Sequence, residues 1–300
     1  MRTLLLTVSI LFCSFFSYSQ APVKYNHILI TNDDGAEDID RLFALAKSVK
    51  SVANRVSIIV SSFDRSGTSN HTTFGKHQST LEIKCRYNNA ETNIAVYTTP
   101  GNPADCVLIG LNGLFPDDKP DLVLSGINGG ANIGPGWFGS GTIGAIRTAA
   151  FLGVRGIALS GFEDDDERSF EVIPRWITQL ISTDLIDKID KNSYLTIGFP
   201  DVKLEEVKGV KISDRRISFD NPKSVVFNKV VGDKAHEPES ITVWAAEYKS
   251  NPNDITIEHD DTLLNEGYII ITPMSIDENN FKLNKVFQDG IKQIPNFTLN

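Results

Sequence analysis

Residues 28–35 read ILITNDDG. An apolar run stops at Asn32, and two carboxylates, Asp33 and Asp34, follow side by side before Gly35. Asn, Asp and Gly are common turn formers, so a tight turn accounts for this stretch taken alone. A second account is a site for a hard cation. Adjacent carboxylates can both reach one ion if the backbone bends, and Gly35 permits the bend. Magnesium and manganese favour carboxylate, amide and water oxygens over thiolates. Turn and cation stand level until other stretches are set beside them.

Two other stretches carry suitable chemistry. Residues 63–74, FDRSGTSNHTTF, are crowded with hydroxyl and amide side chains. Alone they read as a surface loop. Beside a cation, Ser66 offers a neutral oxygen, and Arg65 can orient a neighbour or an anion. Residues 124–150, LSGINGGANIGPGWFGSGTIGAIRTAA, are dense in glycine. Asn128 lies where a side-chain oxygen could complete a cation's ligand set, and Asn132 adds a donor. Ser140, Gly141 and Thr142 then open a helix, where backbone amides and hydroxyls bind anions such as phosphate. A long glycine-rich loop ending in a helix is seldom purely structural. It lacks the P-loop lysine, which disfavours a nucleoside triphosphatase of that type. Among the histidines, His71 in the polar loop is a weak candidate acid or base. His27 begins a strand and reads as structural, whereas His77, His236 and His259 read as surface residues.

The elements that must position these residues alternate. Residues 27–31, 55–61, 93–99, 121–125, 156–160 and 194–199 read as apolar strands. Helical spacing runs over 38–49, where Ile39, Leu42, Phe43, Leu45, Ala46 and Val49 share a face. Asn102-Pro103 is a helix start, cap followed by proline, for a helix through 104–114. Residues 142–153 and 173–181 complete the helices. Apolar strands alternating with helices predict an α/β fold, a mostly parallel sheet covered on both faces. Ligands of such sheets bind beyond the carboxyl ends of the strands. Asp33 and Asp34, the stretch from Ser61, and residues 125–128 all lie at such ends. After Pro200, strand-like runs at 210–213, 240–244 and 268–272 form a smaller β-rich region. The acidic run 163–167, EDDDE, lacks the spacing of a calcium loop and reads as solvated.

The whole chain narrows the partners. It has 300 residues and a formal net charge of -9, which argues against duplex nucleic acid as a partner. Residues 1–20 carry Arg2, then an apolar run over 4–16, then small and polar residues, the layout of a secretory signal peptide cleaved near Gln20. The run is shorter than a membrane span, so no stable anchor is expected. Cleavage leaves Cys85 and Cys106, which read as buried free thiols rather than a disulfide framework. No zinc-type cysteine spacing is present.

With these stretches assembled, the sequence resembles the SurE family of metal-dependent nucleotidases. The carrying residues are TNDDG (31–35), RSGTS (65–69), TTPGNPADCV (98–107), DLVLSGIN (121–128) and GSGTIGAIRTAA (139–150), with weaker echoes in LTIGFP (195–200) and EGYIIITP (266–273). The resemblance spans residues 26–275. It implies a Rossmann-like domain, residues 26–200, and an accessory region, 201–300, used in assembly as a homodimer or homotetramer. It also implies one divalent cation per subunit, Mg²⁺ or Mn²⁺, held by Asp33, Asp34, Ser66 and Asn128. Some positions depart from the family pattern. Gly129 stands where a larger residue is common, Ser61-Ser62 where Ala-Pro is common, and Met274-Ser275 where a histidine often follows.

The expected reaction is hydrolysis of nucleoside 5′- and 3′-monophosphates, with Asp33, Asp34 and Asn128 catalytic and Asn132, Ser140, Gly141 and Thr142 on the phosphate. Two alternatives stand beside it: a broad acid phosphatase or exopolyphosphatase, and a non-catalytic exported nucleotide-binding protein. The carboxylate pair argues against the second, because an anion binder gains nothing from two carboxylates without a cation between them.

Overall fold

Apolar runs too short for helices, flanked by turn residues, form parallel strands here because helices shield both their faces. The computed structural model describes residues 23–74, 80–161, 168, 170–216, 225–231, 241–248, 259–279 and 281–289. Nine strands form one sheet: β1 (Tyr25–Thr31), β2 (Ala53–Ser61), β3 (Lys84–Asn89), β4 (Ile94–Thr99), β5 (Leu122–Asn128), β6 (Arg155–Ser160), β7 (Ser193–Gly198), β8 (Val210–Ile212) and, after a separate hairpin, β11 (Ile269–Ser275). Their order is β3-β4-β2-β1-β5-β6-β7-β11-β8. The six from β4 to β7 run parallel, and β3 and β11 are antiparallel to their inner neighbours. Among the described residues, strands β9 (Val225–Val231) and β10 (Val243–Tyr248) pair only with each other.

Alternation along each strand sorts side chains to two faces. Ile28 and Ile30 of β1, with Leu122 and Leu124 of β5, join one apolar cluster with α1 (Ile39–Val49) and α4 (Val172–Ser182). Leu29 and Val123 point the other way, towards α2 (Pro103–Ile109) and α3 (Gly141–Phe151). Two further helices, α5 (Asp260–Asn265) and α6 (Phe281–Asp289), follow the hairpin and bracket β11. The expected helix over 104–114 changes character at Gly110, where the chain continues as a π-helical stretch to Leu114. Among the described residues no helix is long and apolar enough to cross a membrane.

Several expectations need correction. Strand β3 lacks an apolar face: Lys84 to Tyr87 are exposed at the sheet edge, so no periodicity marks it. Cys85 is therefore exposed and not buried, whereas Cys106 is buried and its thiol is pushed up to about 12. Both are free. Strand β10 starts at Val243 and runs on to Tyr248, and β9, VVFNKVV, is a further strand that was not expected although its valines and phenylalanine favour one. His259 is half-buried at the start of α5 and not a surface residue. The acidic run 163–167, His77 and His236 lie outside the described residues.

His27 is structural, as its position implied. It is fully buried, with Phe115 edge-on at 4.7 Å. Its Nδ1 faces the Asp118 carbonyl at 2.8 Å, and its Nε2 faces the Ser57 hydroxyl at 2.9 Å. The neutral ring satisfies both: Nδ1–H donates and Nε2 accepts. Burial lowers its pKa below the ordinary 6.5. The unfolded chain then binds more protons just below that pH, so stability falls as pH drops through it. Melting temperature measured from pH 7.5 to about 5 will fall more steeply for the native chain than for His27→Gln. Parallel curves would exclude this group as a source of acid sensitivity.

Candidate active site

Strand order reverses between β1 and β5. The chain leaves β1 through α1 on one face and leaves β5 through α3 on the other. A crevice opens beyond the carboxyl ends of such neighbours. Asp33 and Asp34 follow β1, and Asn128 ends β5. Gly35, at φ 89°, makes the bend that the sequence anticipated.

Asp33 is 2% exposed, and Asp34 is half-buried. Burial pushes the Asp33 carboxyl up, and the Thr142 hydroxyl and the amides of Gly141 and Thr142 oppose that rise by hydrogen bonding. The Thr142 hydroxyl donates to Asp33 Oδ1, and it also lies 3.1 Å from Asn128 Oδ1. Asn128 Nδ2 donates to the carbonyls of Gly129 and Gly130, at 2.8 and 2.9 Å. Those two bonds fix which end of the amide faces Thr142, the residue it shares with Asp33: its oxygen. Helix α3 approaches closely because Gly141 has no side chain: a Cβ there would lie 2.8 Å from Asp33 Cβ. Ser140 caps α3, its oxygen accepting from Ile143 N–H at 3.2 Å.

The serine loop is tied to the same place. Arg65 N–H donates to the Asp33 carbonyl at 2.7 Å, and Arg65 Nη2 donates to the Pro100 carbonyl at 2.8 Å. Ser69 N–H donates to the Gly139 carbonyl and its hydroxyl to the Phe138 carbonyl, both at 2.9 Å. Ser66 is exposed, one residue beyond the Arg65 link, with its N–H on Asp64 Oδ1 at 2.7 Å. His71 is exposed and joins the loop through its main chain. Asn132 donates its N–H to Ser160 Oγ at 3.0 Å, while its buried Nδ2 has no partner among the described residues.

Asp33, Asn128, Ser140, Gly141 and Thr142 thus meet at one point, and Ser66 is carried to its rim. Gly141 and Thr142, read from sequence as phosphate donors, bear on Asp33. Among the described residues no three His, Cys, Asp or Glu side chains gather to hold a metal. The set here is mixed: carboxylates, one oriented amide oxygen and a hydroxyl. It suits a hard cation. A buried carboxylate opposed only by neutral donors is also a place where a cation would be stabilising. Sequence reasoning missed Arg41, fully buried on α1, whose Nη1 donates to the Ile127 carbonyl at 3.0 Å, one residue before Asn128. The available signal was a charge at position 41, in line with the core positions 45 and 49.

A family model described as "Survival protein SurE" matches residues 28–218. The chain belongs to the SurE family. A 5′-nucleotidase SurE from Vibrio campbellii is 31% identical over 261 residues, covering 87% of this chain and 92% of the relative. One from Aquifex aeolicus is 30% identical over 268 residues, covering 86% and 95%. The crystal structure of the Aquifex aeolicus SurE protein superimposes with a TM-score of 0.66 at 26% identity, over 88% of this chain and 99% of that one. Asp33, Asp34, Ser66, Asn128 and α3 all fall inside the stretch matched by the SurE family model, whereas the hairpin β9–β10 and α5 lie beyond it.

Proposed function

We propose that this SurE-family chain is a metal-dependent phosphomonoesterase releasing phosphate from nucleoside 5′-monophosphates, and from 3′-monophosphates. The observation that carries this reading is the Asp33 carboxylate beside the oriented Asn128 oxygen at the switch point of the sheet. Asp33 and Asp34 would hold one Mg²⁺ or Mn²⁺, with Asn128 and Ser66 in neutral positions. Such an ion supplies an activated water and screens charge on the phosphoryl group. Asn132 and Ser140 donate to the phosphate, and Gly141 and Thr142 hold Asp33 against the helix start. The relatives' names favour this reading over a binding protein or a general phosphatase.

The reading extends to assembly and location. Phe227, Val231 and Trp244 expose apolar surface on the hairpin, which supports self-association as a homodimer or homotetramer. The charged and apolar pattern of residues 1–20 supports export with cleavage near Gln20.

The test is phosphate release from AMP, GMP, 3′-AMP, glycerol phosphate and tripolyphosphate, with manganese, magnesium or EDTA, using protein recovered from the native host. Metal-dependent release with nucleotides preferred is expected. Equal rates on glycerol phosphate would favour a general phosphatase, and no release in any metal would sink the enzyme. The intact and native masses of the same preparation read the mature N-terminus and the assembly. An uncleaved monomer would overturn both extensions.

A further inference from the structure

The chain leaves the main sheet after β8 and returns at α5, and charged residues close both ends of this excursion. Arg215 and Arg216 stand on the outgoing side, Asp260 and Asp261 on the returning side. Arg215 Nη1 lies 2.6 Å from Asp260 Oδ2, and their side chains are 2% and 0% exposed. Arg216 Nε donates to Asp261 Oδ2 at 2.7 Å.

The inner pair also grips the glycine-rich loop. Arg215 Nη1 donates to the Asn132 carbonyl at 2.7 Å, and Asp260 Oδ2 accepts from Gly134 N–H at 3.0 Å. From the other side, Ser160 Oγ accepts the Asn132 N–H. Both main-chain groups of Asn132 are therefore held, one from β6 and one from the base of the excursion. Arg215 Nη2 reaches Thr196 Oγ1 as well, so three donations fix the guanidinium plane. Among the described residues the Asn132 side-chain Nδ2 is buried without a protein acceptor, the mark of a donor kept for a ligand or a water.

A buried ion pair is a poor choice for stability alone, since apolar packing of the same volume often does as well or better. Its advantage is directional hold on main-chain groups, and this loop needs it. Between Gly129 and Gly141 the chain has Gly129, Gly130, Gly134, Gly136, Gly139 and Gly141, and glycine loses the most freedom when ordered.

We propose that Arg215 and Asp260 are positioning residues for the phosphate end of the substrate: they hold Asn132 and Gly134 in the binding conformation before substrate arrives. The inference rests on the nucleotidase reading. Pre-ordering the loop removes an ordering cost that the ligand would otherwise bear, so its loss appears in affinity. It also makes the base of the excursion part of the substrate site, although Asp260 lies outside the stretch matched by the family model.

Arg215→Lys keeps the charge and loses the fork. Ser160→Ala loosens Asn132 from the opposite side without touching the ion pair. KM and kcat for AMP, and the Kd of inorganic phosphate by calorimetry, are measured on each full-length variant well below its melting temperature. KM and phosphate Kd are expected to rise about 10-fold or more in both, with kcat within about 3-fold of the native value. Unchanged KM and phosphate Kd in the two folded variants would overturn the proposal and leave the pair a structural tie. If Arg215→Lys does not fold, Ser160→Ala alone decides by the same criterion. If the native chain hydrolyses no phosphoester, the nucleotidase reading falls, and the phosphate Kd by itself tests the positioning.

Discussion

Asp33→Asn will lose more than about 100-fold in phosphate release while the chain stays folded. Removing an outer partner of a metal ligand already costs about 10–100-fold, and a ligand itself costs more. The fold has little reason to suffer. Asn matches Asp in shape and can accept from the Thr142 hydroxyl, which donates to Asp33 Oδ1. It also removes a charge that burial disfavours, since burial is the largest influence on this carboxyl and raises its pKa. Residues kept at a cost to stability are common in active sites, where substitution stabilises and inactivates together. The melting temperature without metal is therefore expected to stay within about 4 °C of native, or to rise. The difference should appear on adding manganese. Saturation at about 100 times Kd stabilises a binding protein by about 2.7 kcal/mol. The native chain should show that rise, and Asp33→Asn should not. A variant that kept either its metal-dependent turnover or its manganese-induced rise would remove Asp33 from the cation site.

How much of this was visible beforehand depends on distance along the chain. Asp33, Asp34 and Asn128 could be placed because each ends an apolar strand, and parallel strands deliver their carboxyl ends to one edge. Thr142 has a second role that the sequence did not show, for a local reason. A hydroxyl at a helix start looks like an anion donor, and here the nearest anion is Asp33 itself. Ser66 was chosen for its oxygen, but only the main-chain link from Arg65 to Asp33 shows how it is carried there. The edge strand β3 went unread, and Cys85 was taken as buried, because an edge needs no apolar face. Arg215 and Asp260 were illegible for a different reason. They lie 45 residues apart, and a charged side chain reads as solvated until its partner is known. Burial of such groups is a property of the pair, and no pattern in either segment encodes it.

The second large effect is expected from Gly144→Ala, which touches neither a carboxylate nor a donor. In a helix interior, alanine is favoured over glycine by about 1 kcal/mol, so propensity alone predicts a more stable α3. Packing opposes it and wins. A Cβ at 144 would lie 1.9 Å from the Ser69 carbonyl oxygen, 2.1 Å from its carbon and 2.6 Å from Asn70 N. All three are backbone atoms, so no rotamer change relieves the overlap. The serine loop must move by about 1 Å or more to restore ordinary contact. Such a shift breaks the Ser69 bonds to Gly139 and Phe138 and pulls on the link from Arg65 to Asp33. Ser66 moves with it. A misplacement of about 1 Å at a catalytic group costs about 100-fold, and overpacking costs about 1–3 kcal/mol of stability. We therefore expect kcat/KM to fall about 100-fold at a temperature where the variant remains folded, with weaker manganese binding. Faster hydrogen exchange over residues 65–70 should accompany the loss. Were the loop a mere surface connection, exchange would rise and stability would fall while metal affinity and turnover stayed native. That outcome would take Ser66 out of the site and leave Asp33, Asp34 and Asn128 as the remaining proposed ligands.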